Sequence, residues 1–378
     1  MDAILHAAGE VLGTELSDPV DLGGNTRSAV VRCRTASGDS VIVKRFGAEP
    51  EGLRGFTAEA AGLSMGLGGP GLLGVHPSLP LLVMEDLGTA PTLADLLLGD
   101  DPRAALDGLA AWARGLGRMA AASVHRRADM AALSARYGRG APSWEEEPWA
   151  VRRTAEFPAA LAGIGIDVPH ELAGELARIA VTGADDHLAF TPGDTCPDNN
   201  LITPGGLRLL DFEAACFQPV FLTAAYCRMP FSSCWCVFSL PPGVAEEIEE
   251  IYRAEVVRAY PELVRDELWQ AGTRRAIALW TVHLTVTLIP RMADDKPVNR
   301  TRRSPTVRQL MRHRWEMAST LGEFPAFAET MRRLLSRVAG SWDVAPLPGY
   351  PAFAGRTGGA SEGQAPESDG SRSSAIPK

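Results

Sequence analysis

The stretch FTPGDTCPDNNLITPGGLRLLDFE, residues 190–213, spreads Asp194, Asn199 and Asp211 across two short apolar runs. Acid and amide groups are costly to hold near a core unless a cationic or reactive partner needs them. LITPGGLRLLDFE reads as a β-hairpin: Leu201 and Ile202 form one arm, Pro-Gly-Gly turns the chain, and Leu207, Leu209 and Leu210 form the other. Such a hairpin brings Asn199, just before the first arm, close to Asp211, just after the second. Two oxygen-bearing side chains at its open end suit a hard cation such as Mg²⁺, which takes one or two protein oxygens together with phosphates. Asp194, on the preceding loop, is placed to accept a proton from something held there. Taken singly, each of these residues reads as an ordinary cap or turn residue; the order and spacing of all three carry the reading.

Working outward, residues 20–46 read as strands. SAVVRCRT follows GGNTR, and the β-branched run of GDSVIVKRF follows a Gly-Asp turn. FTAEAAGLSMGLG, residues 56–68, reads as a short helix with Phe56, Ala60 and Leu63 at helical spacing. LPLLVMEDLG, residues 79–88, reads as an apolar strand running into a polar segment. Residues 92–138 are rich in alanine and leucine at helical period, and a second helical block spans about 243–338. The tail from 344, rich in Gly, Ser and Pro, reads as disordered.

The segment G-D-x-x-x-x-N, followed by a hydrophobic hairpin and D-F-E, resembles the catalytic segment of the aminoglycoside phosphotransferase-like kinases, relatives of choline and fructosamine kinases. The resemblance implies an α+β, two-lobed protein-kinase-like fold. Its small antiparallel-sheet N-lobe would cover residues 1–88 and its large, mainly helical C-lobe residues 89–343. It implies Asp194 as the base that receives the acceptor hydroxyl proton, and Asn199 and Asp211 as Mg²⁺ ligands. Such a kinase needs a strand lysine for the phosphates and a helix acid to position it. VIVKRF supplies Lys44, and Glu59 follows fifteen residues later in FTAEAAGL. The segment containing Glu85 and Leu87 would link the lobes and hydrogen-bond adenine through its backbone. DLGGNTRSAV would be the loop over the phosphates of ATP, with Gly23 and Gly24 permitting close backbone approach. Two positions depart from the pattern: Pro192 stands where the family carries a histidine, and Cys196 where a histidine is frequent. His125, closing LGRMAAASVHRR, reads as structural.

The implied activity is transfer of a γ-phosphate to a hydroxyl of a small molecule. A protein or peptide Ser/Thr kinase and a catalytically silent nucleotide-binding regulator are the alternatives. The net charge of −9 over 378 residues argues against nucleic acid or anionic membrane as partner. MDAILHAAGEVLG lacks a signal-peptide pattern, and AIALWTVHLTVTLIP, residues 276–290, is too short to span a membrane and reads as a buried helix; a cytoplasmic protein is expected. Five of the six cysteines lie between 196 and 236. Cys234-Trp-Cys236 lacks the C-x2-C spacing of zinc sites, so these read as buried free thiols, with metal or redox roles as the alternative.

The acceptor is not legible. AEEIEEIYRAE, residues 245–255, offers carboxylates but reads as a solvated helix face. The arginines at 300, 302, 303, 308, 312 and 314 would suit an anionic acceptor, a peptide, or an acidic surface of the chain's own fold. The aromatic residues Phe217, Phe221, Tyr226, Phe231, Trp235 and Phe238 read chiefly as core.

Overall fold

The computed structural model describes residues 1–25, 27–180, 185–229, 231, 234–299 and 302–356. Arg300 and the tail beyond 356 lie outside the described residues.

The chain opens with helix α1 (Asp2–Leu12) and three strands, β1 (Leu16–Asn25), β2 (Ser28–Thr35) and β3 (Ser40–Phe46). Alternation along β3 sends Val41 and Val43 to one face and Ile42, Lys44 and Phe46 to the other. Val41 and Val43 pack with Val31, Cys33, Leu81 and Val83 under Ala7 and Ala8 of α1. The opposite face receives helix α2 (Pro50–Ser64), with Phe46 and Phe56 edge to face at 6.0 Å. Strands β4 (Leu72–Val75) and β5 (Leu81–Glu85) complete an antiparallel sheet in the order β1-β2-β3-β5-β4. α2 begins at Pro50, six residues before the expected start, because proline at its first turn needs no N–H partner. α1 and β4 went unread in the sequence.

The remainder is mainly helical: α3 (Leu93–Leu98), α4 (Pro102–Ser123), α5 (Arg127–Tyr137), α6 (Trp149–Ala162) and α7 (Leu172–Ile179). Four short strands follow, β6 (Leu188–Thr191), β7 (Asn200–Thr203), β8 (Gly206–Leu209) and β9 (Cys216–Pro219). β7 and β8 form the expected hairpin, while β6 pairs with β9 and so clamps both ends of residues 192–215. Then come α8 (Phe221–Arg228), α9 (Val244–Val256), α10 (Asp266–Leu288), α11 (Val307–Ala318) and α12 (Pro325–Val338). α4 runs through the middle, held at its start by the Asp101 cap and packed against α9 and β6. Among the described residues no helix is long and apolar enough to cross a membrane.

The fold is thus the expected α+β arrangement of a small antiparallel sheet followed by a large helical lobe. One boundary is corrected. Residues 344–356 are not a loose tail: Tyr350 and Phe353 are buried, and the Tyr350 hydroxyl donates to the Cys236 carbonyl at 3.0 Å. Burial of two aromatic rings outweighs the surrounding Gly-Pro composition.

Candidate active site

Lys44 lies on the cleft-facing side of β3, where its ammonium meets groups from both halves of the molecule. Its Nζ is 2.7 Å from Glu59 Oε2 on α2, 3.0 Å from Asp211 Oδ1 just after β8, and 3.8 Å from Glu213. Asp211 also accepts the Glu213 amide at 3.0 Å, and Glu59 Oε2 accepts the Phe212 amide at 3.2 Å. The D-F-E segment is therefore bound to the small lobe through Lys44 and Glu59, and at Glu213 through Arg27 as well.

Burial works against the charge on Lys44, but Glu59, Asp211 and Glu213 outweigh it and hold the ammonium well above lysine's ordinary range. Burial pushes the Glu59 carboxyl up to about 8, against the pull of Lys44. These two directions compete within one pair. The charge that persists is on Lys44, because two further carboxylates hold it. Burial would raise Asp211, yet Lys44 and the Glu213 amide bring it below its usual value.

A cavity of about 300 Å³ opens beside these groups. Leu22, Val30, Ile42 and Lys44 line it from the sheet, Met84, Glu85 and Leu87 from the connecting segment, and Asn199, Leu201, Leu210 and Asp211 from the hairpin. Apolar side chains from both lobes thus face a gap whose inner end is ionic. Gly23 and Gly24 do not line the cavity; they close β1 above it. Gly24 has φ 141°, and a Cβ there would fall 2.2 Å from the Ser28 carbonyl oxygen, so the tight turn requires glycine. From that turn Arg27 reaches Glu51 at 2.8 Å and Glu213 at 2.7 Å, tying the loop to α2 and to D-F-E. A larger cavity, about 530 Å³, lies behind α2 against α5 and Trp144 and contains none of the candidate residues.

Asp194 is half-buried on the loop between β6 and a short 3₁₀ turn, Pro197–Asn199, and its Oδ1 accepts the Cys196 amide at 2.9 Å. Burial raises its carboxyl above the ordinary value; the Cys196 hydrogen bonds oppose this, while Asp211 and Asp198 add to it. Asn199 and Asp211 border the same cavity, and the Leu210 amide donates to the Asn199 carbonyl at 2.9 Å, the cross-hairpin link expected from the sequence.

Mg²⁺ is the cation that the resemblance implies, and the donor set fits it. Asn199 and Asp211 offer oxygens only, and the neighbourhood carries more acid (Glu59, Asp194, Asp211, Glu213) than base (Lys44, Arg27). Glu59 Oε1 is buried without a protein partner.

No protein-family model matches the chain, and no curated protein matches it. Solved structures do. A macrolide 2'-phosphotransferase from Brachybacterium faecium is 17% identical, with a TM-score of 0.45 over 77% of this chain and 92% of that one. A choline kinase from Cryptosporidium parvum is 11% identical, TM-score 0.47, over 85% and 89%. The choline kinase LicA from Streptococcus pneumoniae is 14% identical, TM-score 0.46, over 87% and 98%. At these identities and TM-scores the similarity is one of overall shape and assigns no activity.

Several residues that shape the site went unread in the sequence. Asp86 accepts from Arg32 Nε at 2.7 Å, Ser40 Oγ at 2.6 Å and the Gly88 amide at 3.0 Å, pinning the connecting segment to β2 and β3. Around Pro192 the loop is held by several hydrogen bonds. The Trp112 indole donates to the Thr195 carbonyl at 3.3 Å, Asn200 Nδ2 donates to the same carbonyl at 3.1 Å and to that of Cys196, and the Gly193 amide donates to Thr191 Oγ1 at 3.1 Å. His125 is exposed just beyond α4; Ser123 instead ties that helix to the site, its Oγ accepting the Phe190 amide at 2.9 Å.

Other readings are corrected. The acidic face of α9 is only partly solvated: buried Glu249 pairs with Arg228 and accepts the Trp269 indole N–H, and buried Glu255 pairs with Arg258 at 2.7 Å. Among the described residues, these arginines do not form one anion-binding patch. Arg314 is fully buried and donates to the Met229 carbonyl, Arg308 donates to the Met292 and Ala293 carbonyls, and Arg302 lies over the Trp235 ring at 5.0 Å. All six cysteines are buried, and none is in a disulfide.

Proposed function

We propose that this protein is a kinase that moves the γ-phosphate of ATP to a hydroxyl of a small molecule. The observation that carries the reading is Lys44 bridging Glu59 on α2 and Asp211 of D-F-E at the inner end of an apolar-walled cavity. Phosphoryl transfer asks for positioning and charge neutralisation more than covalent help, and this arrangement supplies both.

In this reading the adenine ring lies between Val30 and Ile42 above and Leu201 and Leu210 below, with the backbone of Glu85 to Leu87 at its edge. Gly23 and Gly24 let the β1–β2 turn close on the phosphates, and Lys44, held by Glu59, meets their charge. Asn199 and Asp211 hold Mg²⁺, which when bound neutralises charge on the phosphates. Asp194 orients the acceptor hydroxyl and takes its proton, and a raised carboxyl suits a base working near neutral pH. The loop supports from Trp112 and Asn200 favour turnover over a silent nucleotide-binding role despite Pro192. The acidic balance of the chain weighs against nucleic acid and anionic membrane as partners, and the reading keeps a small-molecule acceptor in a cytoplasmic setting.

The test is ATP turnover by the purified protein against a panel of hydroxylated small molecules, with a Ser/Thr peptide library in parallel. Magnesium-dependent transfer to a small molecule that vanishes in Asp194→Asn is the expected result. Transfer to peptides alone, or nucleotide binding without transfer to anything, would displace this reading.

A further inference from the structure

Three sulfurs and a carboxylate gather on the far side of the same loop. Cys196 precedes the 3₁₀ turn, Asp198 lies within it, and Cys234 comes from the segment after α8. Their ligand atoms all lie within 4.8 Å of one another, forming the one such group among the described residues. Cys236 adjoins it, its Sγ 3.0 Å from that of Cys234. The Trp235 indole N–H donates to Asp198 Oδ2 at 2.6 Å, and Cys234 Sγ lies 3.8 Å from Oδ1.

Thiols are weak hydrogen-bond donors, so on the side away from Trp235 the Asp198 carboxylate meets only weak donors. A tetrahedral cation with bonds of ~2.3 Å to sulfur and ~2.0 Å to oxygen places its ligands about 3.5–3.8 Å apart, within the spread found here. The ion-facing carboxylate of such a site is commonly held by a hydrogen bond from behind, and Trp235 provides one. Cys196 and Cys234 are almost wholly buried, whereas Asp198 is half-buried, so the carboxylate side is the way in.

We propose that Cys196, Cys234 and Asp198 bind a thiophilic divalent cation of the Zn²⁺ class, with the fourth position open on the half-buried Asp198 side. This site is separate from the oxygen-only pair Asn199 and Asp211. Binding releases the two thiol protons of Cys196 and Cys234 to solvent and leaves both sulfurs as thiolates on the ion. The ion joins the 3₁₀ turn to the segment after α8, two residues past Asp194 and one before Asn199, and so braces a loop that carries Pro192. The proposal holds whatever the chain phosphorylates.

The experiment uses the full chain, stripped with chelator in a phosphine reductant and titrated with Cd²⁺ and with Co²⁺. One equivalent with thiolate-to-cadmium absorption and a tetrahedral cobalt spectrum is expected, both displaced by Zn²⁺. Cys196→Ser and Cys234→Ser lose the signal, while Cys216→Ser and Cys227→Ser keep it. Should the first two variants fail to fold, Trp235→Phe decides, since it removes the N–H behind Asp198 and keeps an aromatic ring there; its affinity falls about tenfold with circular dichroism unchanged. Absence of stoichiometric binding by wild type, undiminished binding in folded Cys196→Ser or in Trp235→Phe, or a Cys196–Cys234 disulfide in the protein as isolated overturns the proposal.

Discussion

Gly193 and Ala214 are in such close contact that a Cβ on Gly193 would fall 2.2 Å from the Ala214 carbonyl oxygen, and Gly193 holds φ 87°. The loop carrying Asp194 is thus seated on the backbone just after D-F-E, and no side chain fits between them. Gly193→Ala meets both a left-handed conformation, costing roughly 1–2 kcal/mol, and a backbone clash that must move one segment. The expected outcome is a loss of stability of about 2–4 kcal/mol in urea melts together with a fall in kcat. A variant as stable and active as wild type would mean the two segments are not held together here.

The Lys44–Glu59 pair invites a double-mutant test. Lys44→Met leaves Glu59, fully buried, without its counter-charge, a loss worth about 3–5 kcal/mol in buried pairs and softened here because Glu59 readily takes up a proton. Turnover falls by about 10²- to 10³-fold, the scale of one electrostatic group facing transition-state charge. Adding Glu59→Gln to Lys44→Met recovers much of the stability and none of the activity. If the double variant regained turnover, Lys44 would be a structural residue only.

Asp194→Asn separates chemistry from folding, because an asparagine Oδ1 can still accept the Cys196 amide. Thermal stability stays near wild type while kcat drops about 10²- to 10⁴-fold. Since burial raises the Asp194 carboxyl and nearby Asp211 and Asp198 add to it, the wild-type rate falls as pH is lowered through a value above the ordinary 3.8. An acid limb at or below that value, measured on kcat/KM, would remove Asp194 as the base.

Much of this cleft was legible because its parts are local. The β7–β8 hairpin follows from Pro-Gly-Gly between apolar runs, and Lys44 and Glu59 lie on adjoining elements fifteen residues apart. What stayed hidden depends on long-range contacts. Trp235 reaches Asp198 across 37 residues and Trp112 reaches Thr195 across 83, and neither leaves a periodic trace. Charge patterning misled for the same reason: Arg314 and Glu249 look like surface residues until their buried partners, the Met229 carbonyl and Arg228 with Trp269, are known.

Two histidines set a pH dependence of stability with an assignable sign. His283 on α10, between Trp149 and Trp280, is brought down to about 4 by burial and then by Arg153 and Arg152. His313 on α11 is brought down to about 4 by burial and then by Arg314. Between the ordinary 6.5 and about 4 the unfolded chain binds protons that the folded one refuses, so these groups stabilise fully above that window and lose their contribution as pH falls through it. Asp194, Glu59 and Glu213 run the other way, because their raised carboxyls keep protons in the folded state to higher pH. The wild-type curve therefore mixes both signs, and the difference between variant and wild type isolates one. His283→Gln lowers stability at pH 7.5 through lost packing, and the gap to wild type narrows between pH 6.5 and 5 by roughly 1–2 kcal/mol. Urea melts of both proteins at pH 7.5, 6.5, 5.8 and 5.0 check this. A gap that stays constant or widens on acidification would show that His283 takes up its proton in the folded protein as easily as in the unfolded chain.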